Sequence, residues 1–204
     1  DKIEGKQAFV NFKLQLYDCL DEINAIIKKE KCEISENKQR ELAYLILFYG
    51  IDKTWNDFTE KQFSEYPEPL LRNFEKNRIL LIKNGKGNIG RTNQTVLSAY
   101  YRNMFNAIKY IDESIYFTSK EKYQLVKLYR AQFSNSELVV LFFNIESKFG
   151  TKWKKYEFKG NWIDHNLIEK YQLLKNIPDG YVHGCDHKKL YKNDYEDDEL
   201  RVDI

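Results

Sequence analysis

Turn-makers are scarce in this chain: nine glycines and three prolines are spread over 204 residues. A fold of many short strands needs frequent turns, so the scarcity favours long helices over a sandwich or a barrel. The 42 % hydrophobic fraction can build a core, and the 31 % charged fraction lies above the globular norm. Together they exclude a disordered tail, a collagen-like repeat and a disulfide-dense miniprotein. A chain of this length forms one domain with at most a small appendage.

Apolar periodicity then supplies the helices. Phe9, Phe12, Leu16, Cys19, Leu20, Ile23, Ile26 and Ile27 recur at three- and four-residue steps, which predicts a long amphipathic first helix. A second runs from Ser35 or Glu36 to about Phe48, with Gly50 just past its end. The breaker Tyr66-Pro67-Glu68-Pro69 precedes a stretch that reads either as helix throughout or as a short strand at Ile79 to Ile82. Leu97, Tyr101, Met104, Ile108, Ile111 and Ile115 form the seam of a helix at 93–116. Thr118 with Glu121, and Ser134 with Glu137, have capping-box spacing and open helices at 119–132 and 134–148. The run Leu138 to Phe143 makes the latter apolar nearly all round, as expected of a central core helix. A last short helix is expected from Asp164 to Asn176, stopped by Pro178 and Gly180. The expected architecture is all-α: one domain of about seven helices over residues 1–180, then a polar, acidic and partly disordered tail over 181–204.

Thirty-three basic against thirty-one acidic residues give a net charge of +2. Bulk charge therefore does not mark a nucleic-acid binder, and an anionic ligand must be met by local groups. The aromatic excess is read as core packing plus codon bias. Cys19, Cys32 and Cys185 are odd in number and widely spaced, which points to a reducing, cytoplasmic setting. The longest apolar run is far shorter than the ~20 residues that cross a bilayer.

Several groupings could carry chemistry. Gly85-x-Gly87-x-x-Gly90 has the letters of a dinucleotide fingerprint, with Lys83, Lys86 and Arg91 as a candidate anion-binding loop and Asp112 further along. A Rossmann domain needs alternating strands and helices, which this chain lacks, so a basic loop between helices is preferred. His183, Cys185 and His187 are weak metal candidates without a second ligand pair, and no metal or cofactor is expected. None of the seven arginines is followed four to six residues later by His, the pair carried by many small helical antiviral ribonucleases. What remains is a polar group set in the most apolar helices: Tyr101, Arg102, Arg130, Gln132, Ser134, Glu137 and Asn144. A buried guanidinium needs a partner such as Glu137 or Asp112. The group is expected to fix helix register through Arg–carboxylate pairs, with a ligand-binding or catalytic pocket as the rival.

Three segments carry a family resemblance. Tyr100-Tyr101-Arg102 leading to Lys109-Tyr110-Ile111-Asp112, then Arg130-Ala131-Gln132-Phe133-Ser134 through Glu137-Leu138 to Asn144, and Glu169-Lys170-Tyr171-Gln172 through Asn176 resemble, in order and spacing, the AbiC-like phage abortive infection proteins of bacteria. The similarity runs from about residue 95 to 178. It implies anti-phage defence, by an effector or sensor that binds a phage or host protein. The alternative is an enzyme acting on RNA or a nucleotide, with Arg102 and Arg130 stabilising phosphate charge and Glu137 accepting a proton. Nucleic acid or nucleotide is the less favoured partner. Self-association is compatible with the resemblance, as is a membrane tether ahead of Asp1, since members often carry hydrophobic segments there. Neither the Gly85 loop nor the His183 cluster belongs to the shared pattern.

Overall fold

A computed structural model describes residues 5–51, 61–85, 89–158 and 161–193. It divides into two compact units, Asp1–Ser98 with Glu146–Lys148, and Ala99–Ile145 with Phe149–Ile204. The all-α class holds, with nine α-helices among the described residues.

The first unit is built on α1 (Lys6–Glu30), α2 (Glu36–Tyr49) and α3 (Glu68–Lys83), with α1 packed against both others. The periodic residues of α1 from Phe9 to Ile26 are buried as their spacing requires. Helix α2 is buried on all sides from Arg40 to Phe48, so its two charged residues need partners. Arg40 pairs with Glu146 at 3.1 Å, and Glu41 accepts the Lys148 backbone N–H at 2.8 Å and the Lys38 ammonium at 2.7 Å. Helix α3 is continuous through Ile79 to Ile82, so the strand alternative there falls away. The prolines of the breaker sit at its start, where a missing N–H costs nothing.

The end of α2 is closed by the loop before the next helix. Asn93 donates from its side chain to the Leu47 carbonyl (2.9 Å) and from its backbone to Phe48 (3.1 Å), while the Ile51 N–H donates to the Gly90 carbonyl (2.8 Å). This satisfies carbonyls that a helix C-terminus otherwise leaves bare. Gly50 makes the approach possible. Its φ is +81°, and a Cβ there would lie 2.8 Å from the Thr92 nitrogen. Gly90 is constrained in the same way, against Arg78 and Ile51.

Helix α4 (Gln94–Glu113) enters the second unit at Ala99, followed by α5 (Ser119–Arg130) and α6 (Asn135–Glu146). Thr118 and Glu121 form the capping box expected of α5. A short α7 (Thr151–Lys154) then leads into an antiparallel hairpin, β1 (Lys155–Phe158) and β2 (Asn161–Asp164), which pairs Glu157 with Trp162. The expected helix from Asp164 to Asn176 is replaced by the end of β2, a four-residue α8 (Leu167–Lys170) and an irregular turn. Two left-handed residues cut it short, Asn166 (φ 33°) and Gln172 (φ 54°). The inward residues expected of that helix, Ile168, Tyr171 and Leu174, are nonetheless buried. The tail packs in its first half, where Val182, His187 and Tyr191 are buried around α9 (His187–Leu190), and its acidic run from Asp194 lies outside the described residues. No helix among the described residues is long and apolar enough to cross a membrane.

Gly50→Ala should lower the free energy of unfolding by about 1–3 kcal/mol, since it adds both left-handed strain and a backbone clash. Gly85 shares the positive φ but has open space around it, so Gly85→Ala should cost clearly less. Urea unfolding of the two variants measures the difference.

Candidate functional site

Helix α6 is buried from Ser136 to Ile145, so each polar group on it must be satisfied within the protein. Glu137 closes a second capping box. Its Oε2 accepts from the Ser134 N–H (2.6 Å) and hydroxyl (2.7 Å), while Ser134 Oγ accepts the Glu137 N–H (3.3 Å). The remaining oxygen accepts from the Tyr100 hydroxyl at 2.7 Å, and the Tyr101 hydroxyl donates to the Glu137 carbonyl at 3.4 Å. Burial first, and then the Glu137 carboxylate, push the Tyr100 phenol well above its ordinary pKa. At the other end of α6, Asn144 accepts from the Trp153 indole at 3.1 Å.

A second centre forms where α4 ends. The Asp112 carboxylate is fully buried, with 0 % of its side chain exposed. Oδ1 accepts from the Lys170 ammonium (2.5 Å) and the Tyr171 hydroxyl (2.6 Å), and Oδ2 lies 2.9 Å from His165 Nδ1. The Lys122 ammonium donates to the Asp112 carbonyl at 2.7 Å. A buried carboxylate is tolerable only with such a complete set of donors. Desolvation and this carboxylate hold the Tyr171 proton in place far above the usual phenol range.

Arg130 serves the same region. The expected pairing of a buried arginine with Glu137 or Asp112 is not what the structure shows: the guanidinium donates to the carbonyls of Tyr171 (2.8 Å) and Gln172 (2.7 Å). The left-handed turn at Gln172 aims those two oxygens at it, and Arg130 thereby holds the turn that presents Tyr171 to Asp112.

The motif residues thus do not form one cleft. Tyr101, Ser134 and Glu137 meet at the start of α6, Arg130 holds the Gln172 turn, Asn144 holds Trp153 of α7, and Arg102 and Gln132 are exposed. Both carboxylate oxygens of Glu137 are engaged within the fold, and Arg130 is buried with its guanidinium donating to two backbone carbonyls, which leaves the proposed acid–base and phosphate roles without a shared pocket. Sequence reasoning missed His165, Lys170 and Tyr171 as partners of Asp112. The available signal lay in the shared motifs, which end one segment on Asp112 and open another on Glu169-Lys170-Tyr171.

The remaining candidates have structural settings. Lys83 and Arg91 are exposed, and Lys86 lies outside the described residues. The Gly85 loop follows a helix, not the strand a dinucleotide fingerprint requires, and Arg78 donates to the Ile89 carbonyl within it at 2.8 Å. His187 is turned inward, with Nε2 3.3 Å from the Ile177 carbonyl and its ring edge-on to Phe142, while His183 and Cys185 are half-buried. No group of three His, Cys, Asp or Glu side chains suited to a metal occurs among the described residues.

The second unit is therefore a helical domain whose shared polar motifs are bound mostly into its own fold. Residues 92–182 match the family model described as putative phage abortive infection protein, the family that the sequence motifs resemble. That match points to a role in abortive phage infection. No curated protein and no solved structure matches the chain.

Asp112→Ala strands the Tyr171 hydroxyl and removes the anchor of three segments, so it should cost about 2–3 kcal/mol in chemical unfolding. Asp112→Asn, which keeps the shape and part of the bonding, should cost less; equal stability of Asp112→Ala and wild type would remove Asp112 as an anchor. A pH dependence follows from His187, whose pKa burial holds below its ordinary 6.5, helped by Lys188 and opposed by the Ile177 carbonyl, Asp186 and Asp179. The unfolded chain therefore takes up this proton first as pH falls, so the contribution is whole above the unfolded pKa and lost below it. Stability measured from about pH 7 to pH 5 should fall by up to about 1.4 kcal/mol per unit from this group, and His187→Gln should flatten the slope.

Proposed function

We propose that this chain is an effector or sensor of anti-phage abortive infection that acts by binding a partner protein of the phage or the host. One observation carries the binding reading. Ile115 (87 % exposed) and Tyr116 (86 %) lie between α4 and α5, and Leu128 of α5 is 68 % exposed. Beside them runs an open groove of about 370 Å³ whose apolar lining comes from Phe117, Leu125 and Leu128. Large apolar side chains held together in water mark an interaction surface, because covering them releases the cost of hydrating them. This band lies inside the segment that matches the family.

The enzymatic alternative is less well supported. A general base must have a lone pair facing its substrate, and both oxygens of Glu137 accept hydrogen bonds from within the fold. Arg130 is buried against backbone carbonyls.

Phage challenge of cells carrying the full-length gene tests the reading. Leu128→Glu and Ile115→Glu place a charge on the band without touching the core, so the purified variants should melt like wild type while protection falls by at least about tenfold in plaque count. Undiminished protection with both substitutions combined would exclude this surface.

A further inference from the structure

The groove beside the apolar band follows one helix. Its lining falls at Phe117, Lys120, Glu121, Gln124, Leu125 and Leu128, the three- and four-residue steps of a single helical face. It therefore runs along α5 rather than across it, over about 16 Å at a rise of about 1.5 Å per residue. Val126 and Arg130 are buried on the opposite side, which makes this stripe the outer face of α5. Phe117 is 39 % exposed and Leu128 68 %, so the apolar floor is uncovered at both ends.

One flank of the stripe carries uncompensated positive charge. Lys120 and Lys127 are exposed, make no ion pair among the described residues and stand seven residues apart, which puts both on the same flank. Lys122, between them in sequence, is directed elsewhere and donates to the Asp112 carbonyl at 2.7 Å. Glu121 brings a carboxylate to the lining, but it is turned back to the helix cap, where Oε2 accepts from the Thr118 N–H and hydroxyl, each at 2.7 Å. We infer that the groove along α5 receives an acidic amphipathic helix of a partner protein. The apolar stripe of that helix covers Phe117, Leu125 and Leu128, and its acidic residues, seven apart, meet Lys120 and Lys127. This rests on the band being the surface through which the chain binds, and adds the chemistry of what binds there.

A helix fits this groove for two reasons. Its side chains at three- and four-residue steps form ridges that seat between those of α5. It also satisfies its own backbone, whereas an extended segment laid on a face of side chains would bury N–H and C=O groups with no sheet edge to pair them. The flank then selects the charge, because a basic partner helix would set like charges opposite each other at close range. The same flank disfavours a second copy of this chain. Two copies of α5 packed antiparallel through the stripe bring lysine flank against lysine flank.

Two helical peptides of about four turns test the inference against the full chain. Both carry the same leucine stripe, one with glutamates seven apart on its flank and the other with lysines there. Fluorescence anisotropy should show the glutamate peptide binding saturably and the lysine peptide at least about tenfold more weakly at low salt. Lys120→Glu combined with Lys127→Glu should reverse that preference and Leu128→Glu should abolish both, with melting temperatures unchanged. In phage challenge the double lysine variant should lose protection as Leu128→Glu does. Protection lost with Leu128→Glu but kept by the double lysine variant, or equal binding of the two peptides, overturns the acidic partner and leaves the band as a docking surface. Protection kept under every one of these substitutions overturns the band itself. Binding of neither peptide, or equal binding of a proline-interrupted glutamate peptide, overturns the helix as occupant. Self-association in light scattering that Leu128→Glu removes overturns the inference in favour of a second copy.

Discussion

A helix with no face to water cannot leave a polar group unpaired, and that constraint at α6 organises the second unit. From Ser136 to Ile145 every residue is buried. Glu137 brings a carboxylate into this setting at the helix N-terminus, where the backbone dipole favours negative charge. Its oxygens still need donors, and among the described residues only Tyr100 and the capping Ser134 supply them. Ten or so ångströms further along, by the rise of about 1.5 Å per residue, Asn144 needs the Trp153 indole. The two demands fix α4 at one end of α6 and α7 at the other. Trp153 then meets Phe105 of α4 edge-on, with ring centroids 5.3 Å apart, so the polar contacts and the aromatic packing require the same placement.

Asp112 applies the same logic to segments far apart in sequence. Its partners come 53 to 59 residues later, on the end of a hairpin and on a four-residue helix. Neither element has much stability of its own, since so short a helix cannot propagate and an isolated hairpin is marginal. A buried negative charge gives both a fixed point. The Gln172 turn is strained, and two charge-assisted hydrogen bonds from Arg130 hold it, which explains how a non-glycine residue keeps φ at 54°.

These two centres differ in how far the sequence reveals them. Both capping boxes are readable because their partners lie three residues apart and the chemistry is local. The α4 seam is likewise readable up to the helix end. Ile115 continues the period, but the helix stops at Glu113, and a residue past the end no longer follows the helical phase. The stretch after Asp164 misleads for a different reason. Ile168, Tyr171 and Leu174 are spaced as on a helix and are all buried, yet Arg130 imposes a left-handed turn among them. Nothing local specifies that turn. The same contact explains why Arg130 lacks the expected carboxylate: the carbonyls of an irregular turn are good acceptors that no side-chain pattern announces.

A motif string such as Tyr100-Tyr101-Arg102 mixes these roles by geometry. Consecutive helical residues point about 100° apart, so three in a row cannot share an environment. Tyr100 and Tyr101 turn to Glu137, and Arg102 must then face outward. Resemblance along the string therefore cannot separate what holds the fold from what meets a ligand, whereas hydrogen-bonding capacity can. A group whose donors and acceptors are all engaged by its own chain can bind nothing more without breaking those bonds. Recognition must fall to groups with capacity left over. Among the described residues of this domain they include the uncovered apolar side chains Ile115 and Tyr116 between α4 and α5 and Leu128 on α5.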